Sequence, residues 1–336
     1  MEPALSPASP AAPAAAAARR LEAVLMLVLA TGCWAVSFPV MKALAAHQSR
    51  LIPGPDSWFF AALGVGFRFG LAALCMVVLT GRDLRGLTRG EVSQGLGLGL
   101  FGSLGMVFQM DGLAHTSAST SAFLTQGYVL LLPLWQAVVQ RRQPGGRVWA
   151  GCLAVIAGVA ILSGIRWNRM TLGRGEIETL VASVLFTGQI LWLERPPYAG
   201  NDTRRFSFVM FAVMALCALP FAGFSAPSIQ AVRQAYSSVP ALVFLGVLVV
   251  VCTLGGYLLM NRWQREVGAT EAGLVYCCEP VFASLLALVL PVWLGRFAAI
   301  DYPNESVTPR LLAGGGLILL ANLLVQWRRP PLPSGD

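Results

Sequence analysis

The chain is poor in charge. Only 12% of its 336 residues are Asp, Glu, Lys or Arg, about half the ~25% of a soluble domain, which excludes an ordinary water-soluble globular protein. Lysine is nearly absent: Lys42 is the single one, and every other basic side chain is arginine. Histidine occurs twice, at His47 and His115, both at predicted helix ends beyond the membrane and neither with an Asp or Cys partner at a catalytic spacing, so both are expected to be solvated joint residues. No phosphate-binding glycine loop and no metal-ligand cluster is present, so the sequence implies no cofactor and no ATP hydrolysis of its own. The seven cysteines all lie in apolar stretches and, being odd in number, cannot all pair within the chain; they read as small packing residues.

What is there is apolar bulk. Hydrophobic residues make up 56% of the chain, and the mean hydropathy is +0.67. A hydrocarbon core about 30 Å thick needs roughly 20 apolar residues of helix. Ten such segments are predicted: Leu21–Ala46, Trp58–Leu79, Val92–Leu113, Ala118–Val139, Val148–Ile165, Ile177–Leu193, Phe206–Phe224, Val239–Trp263, Ala272–Trp293 and Leu311–Trp327. The expected fold class is therefore an all-α integral membrane protein with ten transmembrane helices in the lipid bilayer.

The net charge of +8 is spread over the joints between segments and forms no patch with interleaved aromatics, which argues against a nucleic-acid partner. It reports orientation instead. With the N-terminus in the cytoplasm, 15 arginines fall on the cytoplasmic side and 7 on the other, which favours a cytoplasmic (inner) membrane protein with both termini inside. Residues 1–20 form a Pro/Ala tail expected to be disordered, and residues 329–336 a C-terminal tail. Arg19-Arg20, an apolar run and Ala43-Leu44-Ala45 mimic a signal peptide, but the run is far longer than an h-region of 7 to 15 residues, so a retained first helix is expected.

The two halves resemble each other. "ASTSAFLTQGYV" from Ala118 aligns without gaps on "ATEAGLVYCCEP" from Ala269, a shift of 151 residues, and "GCLAVIAGVAIL" from Gly151 on "GGGLILLANLLV" from Gly314, a shift of 163. Five segments per half is an odd number, so the second half enters the membrane inverted, as in secondary transporters whose substrate site lies near the midplane between the repeats.

"CWAVSFPVMK" from Cys33, "FRFGLAAL" from Phe67, "GLAHTSASTSAFL" from Gly112, "GATEAGLVYCCEPVFASLLALVL" from Gly268 and "AGGGLILLANLL" from Ala313 together resemble the EamA-type members of the drug/metabolite transporter superfamily. The resemblance covers about Leu21 to Trp327, with Glu279-Pro280 its most specific element. It implies two inverted EamA repeats, 21–166 and 174–328, and a cytoplasmic-membrane transporter of metabolites, often an exporter of amino acids or related compounds. Two departures stand out: "LGRFAAIDY" lacks an acid beside Arg296, and "QRRQP" after the fourth segment lacks one as well.

Among candidate substrate-binding residues Glu279 leads, because a charge near the bilayer midplane costs about 2.5–3.5 kcal/mol on the insertion scale and so faces a cavity or a partner. Its repeat equivalent is Tyr128. It fits a substrate cation or a proton as coupling ion; the competing role is a structural bond to another helix. Arg68, also deep, fits a carboxylate or a tie between helices. Lys42 lies near the outer end of the first segment, as a gatekeeper or a snorkelling side chain. The remaining lining is expected from Trp34, Ser37, Phe38, Gln109, Gln126, Gln189, Trp192, Tyr257, Asn261 and Tyr276, with Trp34 and Phe38, and Tyr257 and Asn261, sharing helix faces at i, i+4. Glycines such as those of "GLGLGLFGSLG" from Gly95 permit close helix approach and rocking. The expected function is secondary-active export of small amphipathic metabolites by alternating access, driven by the substrate's own or the proton gradient. Efflux of lipophilic cations is the alternative; a membrane-embedded enzyme or a non-transporting sensor has less support.

Overall fold

The computed structural model describes residues 11–116, 118–139, 141, 143–163 and 173–326. Every regular element among them is helical. In chain order they are α1 Ala11–Leu51, α2 Ser57–Thr80, α3 Arg89–His115, α4 Ala118–Thr125, α5 Tyr128–Val138, α6 Gly146–Ser163, α7 Arg174–Leu193, α8 Thr203–Ser225, α9 Ile229–Ala235, α10 Val239–Val247, α11 Gly256–Trp263, α12 Ala269–Tyr276, α13 Glu279–Ala287, α14 Leu290–Ala298 and α15 Pro309–Gln326. Residues Leu248–Gly255, between α10 and α11, are wound as a π-helix.

Local chemistry sets several boundaries. Thr88 and Glu91 form a reciprocal capping box at the start of α3, and Asp202 accepts the Arg204 and Arg205 amides at the start of α8. Pro280 cannot donate a bond to the Tyr276 carbonyl four residues earlier, and α12 ends at Tyr276; Pro291 stands in the same relation to Ala287, where α13 ends.

Among the described residues six helices are long and apolar enough to cross a membrane: residues 17–51 of α1, α2, α3, α7, α8 and the continuous run Val239–Glu266. The pair Ala269–Ala287 and Leu290–Ala298 passes the same test but is bent by 61°. The fourth predicted segment is split into α4 and α5 at Gln126–Gly127, and the fifth and tenth correspond to α6 and α15; Ile165 and Trp327 lie outside the described residues. Large apolar side chains face outward, among them Val78, Leu216 and Phe224, the last 91% exposed. Their burial requires lipid.

The structure differs from the sequence expectation at the N-terminus. Residues 11–20, expected in a disordered tail, continue α1, because alanine is the best helix former. Arg19 and Arg20 there pair with Glu266 and Glu271 across the bundle. Residues 1–10 and the predicted C-terminal tail lie outside the described residues.

In the bundle α2 packs along α8, α3 lies between α7 and α8, α6 runs against α15, and α1 is central, touching α11, α13 and the π-helix.

Candidate functional site

Half-helix ends meet at the middle of the bundle. α5 begins at Tyr128 and α13 at Glu279, and both residues line a buried cavity of about 60 Å³. That volume holds a few waters. Trp34 and Ser37 of α1, Arg68 of α2, Gln109 of α3, Gln189 of α7, Tyr257 of α11 and Tyr276 of α12 complete the part of the lining expected from sequence.

Two charges of opposite sign face this space. Arg68 is 1% exposed; its Nε donates to Thr253 Oγ1 at 2.6 Å, its Nη1 lies 3.6 Å from Met41 Sδ, and its guanidinium carbon sits 5.3 Å from the Phe69 ring centre. Thr253 belongs to the π-helix and returns its own hydroxyl to Leu248, five residues back; π-turns of this kind recur at functional sites. Glu279 accepts from Gln126 Nε2 at 3.4 Å, and the Gln126 carbonyl in turn accepts from Tyr128 at 2.7 Å. The two charges are not paired with each other, and neither forms an ion pair with any other described residue.

The rest of the wall is aromatic. The Trp34 ring centre is 5.5 Å from that of Tyr257 and 5.3 Å from that of Tyr276. Trp34 Nε1 is buried without a hydrogen-bond partner and packs against the α11 backbone. Gly256 provides the room for this ring: a Cβ there would stand 2.3 Å from Trp34 Nε1.

Five candidates are placed elsewhere, and each has a physical reason. Phe38 is buried among apolar neighbours of α1, α10 and α13 and borders a separate small void with Pro39. Asn261 turns to α8, donating to Ser207 Oγ at 2.9 Å. Trp192 lies under the Arg195 guanidinium at 4.3 Å, at the end of α7. Gln126 stands behind Glu279 as its hydrogen-bond donor. Lys42 borders a second void nearer the end of α1. Met106, Thr125, Phe186, Ile190 and Met260 line the cavity as well, beyond the residues the sequence marks out. Met106 lies three residues before Gln109, on the same face, and Thr125 accepts from Gln109 Nε2 at 2.9 Å. His47 is also corrected: it is buried, its ring nitrogens bonded to the Ala298 carbonyl at 3.0 Å and Ser238 Oγ at 2.7 Å.

A polar chain leaves the cavity at Tyr276. Its hydroxyl donates to Gln264 Oε1 at 2.9 Å, and Gln264 Nε2 donates to Glu194 Oε1 at 2.8 Å. Glu194 Oε2 accepts the Ala269 amide at 2.7 Å, so this first residue beyond α7 joins α7 to α12. Burial pushes the Glu194 carboxyl up to about 7, against the downward pull of those two donors. Its folded value thus exceeds the unfolded ~4.3, so the stability it contributes is complete below the unfolded value and is lost as pH rises through about 7. The thermal unfolding midpoint is expected to fall between about pH 4.5 and pH 7 and to level off above that, and Glu194→Gln to flatten that slope; an unchanged slope would remove Glu194 as its source.

Residues 21–164 match the family model described as the EamA-like transporter family. Over that stretch the chain is similar to EamA-type transporters. A curated relative, an "Uncharacterized transporter" of Archaeoglobus fulgidus, is 26% identical over 310 residues, covering 92% of this chain and 87% of its own. A solved structure titled only "Crystal structure of protein" superposes with a TM-score of 0.63 at 18% identity, over 91% of this chain and 96% of that one. That likeness concerns the fold. The family match, the relative and the long apolar helices make the chain a multi-pass membrane transporter, and Arg68 and Glu279 lie on the cavity between its broken helices.

Proposed function

We propose that this transporter carries small zwitterionic metabolites, amino acids foremost, and exports them by alternating access. The observation that carries the reading is the pair of opposite, mutually unpaired charges, Arg68 and Glu279, on one buried cavity. An unpaired charge in a membrane interior is costly, and a ligand bearing both an ammonium and a carboxylate relieves both costs at once. Glu279 takes the ammonium, Arg68 the carboxylate, and the rings of Trp34, Tyr257 and Tyr276 the apolar part. A lipophilic cation needs the carboxylate and aromatics but is opposed by Arg68, which makes cation efflux the weaker reading.

The proposed architecture is ten transmembrane helices in two inverted repeats, 21–166 and 174–328, in the cytoplasmic membrane with both termini inside. The element bounds support it: α4, 118–125, shifted by 151 falls on 269–276, the bounds of α12, and Tyr128 falls on Glu279, the first residue of α13. The packing supports it as well, since the exchange of halves maps α2 and α8 onto each other and α6 and α15 onto each other, and each of these pairs is in contact. The proton is the proposed coupling ion, with Glu279 as the group exchanging it against the ammonium.

The test compares a free amino acid with its methyl ester, which keeps only the positive charge, and its N-acetyl derivative, which keeps only the negative one. Uptake into proteoliposomes is expected for the free amino acid and to drop about tenfold or more for each singly charged analogue. Preferential transport of the esters and of ethidium would instead establish the cation pump.

A further inference from the structure

The cavity is one of two voids on the same helix faces. The second, of about 520 Å³, is bordered by Met41, Lys42 and Gln48 of α1, Asp56 and Ser57 at the start of α2, and Met110 of α3. Along α1, Trp34 and Ser37 meet the first void, and Met41, Lys42, Leu44, Ala45, Ala46, Gln48 and Ser49 the second; Trp34, Ser37, Met41, Ala45 and Gln48 share one helix face. On α3, Met106 and Gln109 meet the first void and Met110 and Leu113 the second; on α2, Arg68 meets the first and Ala61 and Ser57 the second. Three helices therefore present continuous faces past both spaces.

Met41 and Met110 both border the second void. Met41 Sδ lies 3.6 Å from Arg68 Nη1, so its side chain touches the guanidinium while bordering the second void. The Met110 methyl lies against α2 at Gly64, where a Cβ would come within 2.8 Å of it. Methionine side chains have three rotatable bonds and no strongly hydrogen-bonding group to strip of water, so a partition made of them opens by rotamer change.

The second void also carries side chains of both signs. Lys42 makes no hydrogen bond or ion pair among the described residues and is only partly buried. Asp56, also on the wall, is held as a carboxylate by the Ser57 hydroxyl at 2.9 Å, with Arg174 at 3.7 Å. His115, the other titratable group on this wall, is bonded to Ser57 Oγ at 2.9 Å.

The geometry points to a second zwitterion-binding station in this void, in which Lys42 takes the ligand carboxylate after it leaves Arg68, with Met41 and Met110 as the partition between the stations. The inference rests on the zwitterion reading of the first cavity. At about 1.5 Å of rise per residue, Lys42 stands only one to two helical turns beyond Ser37, a short transfer for a carboxylate. It also explains why the chain's one flexible ammonium is placed there, since a lysine stem can follow a moving ligand where a bidentate arginine would hold it.

The test restores the charge chemically. In a variant whose native cysteines are replaced, Lys42→Cys is expected to raise KM for alanine, leucine and phenylalanine, each measured singly in proteoliposomes, by about tenfold. Aminoethyl methanethiosulfonate, which rebuilds an ammonium on the introduced thiol, is expected to restore KM, and the sulfonatoethyl reagent to leave it high. In the native-cysteine background Lys42→Arg is expected to keep KM within about threefold, which guards against a folding defect in the cysteine-free chain. A KM indifferent to all three states of residue 42, in a protein whose uptake Glu279→Gln abolishes, overturns the second station and leaves the first standing. If the unmodified protein neither moves nor is thermally stabilised by any of these amino acids, both fall. The partition has its own readout: Met41→Ala with Met110→Ala is expected to speed the leak of alanine from preloaded vesicles, and an unchanged leak removes the two methionines from that role.

Discussion

Glu279→Gln is expected to raise KM for zwitterionic substrates by about ten- to a hundredfold and to suppress uptake at low concentration nearly completely. The substitution preserves the shape of the side chain and its contact with Gln126, whose amide donates to Glu279 Oε2 at 3.4 Å, and removes only the charge. A hydrogen bond to a charged group contributes about 1.5–3 kcal/mol, and each 1.4 kcal/mol is about tenfold in affinity. The accompanying change in stability separates a binding role from a structural one. A buried carboxylate with no cationic partner carries a desolvation cost that a neutral amide does not, so the thermal unfolding midpoint of the ligand-free variant is expected to hold or rise while transport collapses. If Glu279 merely tied helices together, the midpoint would fall and KM of the surviving protein would stay near the wild-type value. N-acetylated substrates, which have no ammonium to lose, are expected to be nearly indifferent to the change.

Much of this site is legible in the sequence, for reasons that differ by residue. Glu279 and Arg68 stand out because an ionisable group deep in an apolar segment has few explanations, and both do face the cavity. The ungapped alignment at a shift of 151 places Tyr128 on Glu279, and each of these residues begins a half-helix. What the alignment does not supply is the break between α4 and α5, where no proline stands four residues beyond the end; Gly127 at the break packs so closely on α7 that a Cβ would lie 2.7 Å from Ser183 Oγ. Phe38 and Asn261 fall outside the cavity because an i, i+4 spacing fixes a shared face only to within ~40°, and in a crowded bundle a cavity ends and a neighbouring helix begins within that angle. Asn261 meets Ser207 of α8 there. Residues such as Met106 and Ile190 carry no chemical label that distinguishes lining from packing. For His47 the apolar run, which stops at Ala46, predicts a solvated joint, whereas the helix continues to Leu51 and carries the ring into contact with Ser238 and Ala298.

The glycines of α3 lead to the other large expected effect. Gly95 and Gly99, one turn apart, both face α8: a Cβ on Gly95 would stand 2.5 Å from Val209 Cβ and 2.8 Å from the Phe206 carbonyl oxygen, and one on Gly99 2.6 Å from Val213 Cβ and 3.0 Å from the Met210 carbonyl oxygen. Here backbone meets backbone, so no side-chain rotation makes space. In lipid, where helix association depends on close van der Waals fit, the pair is what allows α3 to lie between α7 and α8. Overpacking costs about 1–3 kcal/mol per site, and two adjacent sites approach the ~5–15 kcal/mol that holds a folded protein together. The double variant Gly95→Leu, Gly99→Leu is therefore expected to lose most of its folded yield, and the surviving fraction to unfold at a lower temperature in detergent and to bind substrate poorly, because α3 also carries Met106 and Gln109 to the cavity. Gly246→Leu supplies the control: this glycine sits exposed on α10, with no atom within 4 Å of the point where a Cβ would stand, and its replacement is expected to leave yield, unfolding temperature and uptake unchanged. Equal damage from both changes would locate the effect in leucine's bulk at the lipid surface and would detach the α3–α8 crossing from the stability of the site.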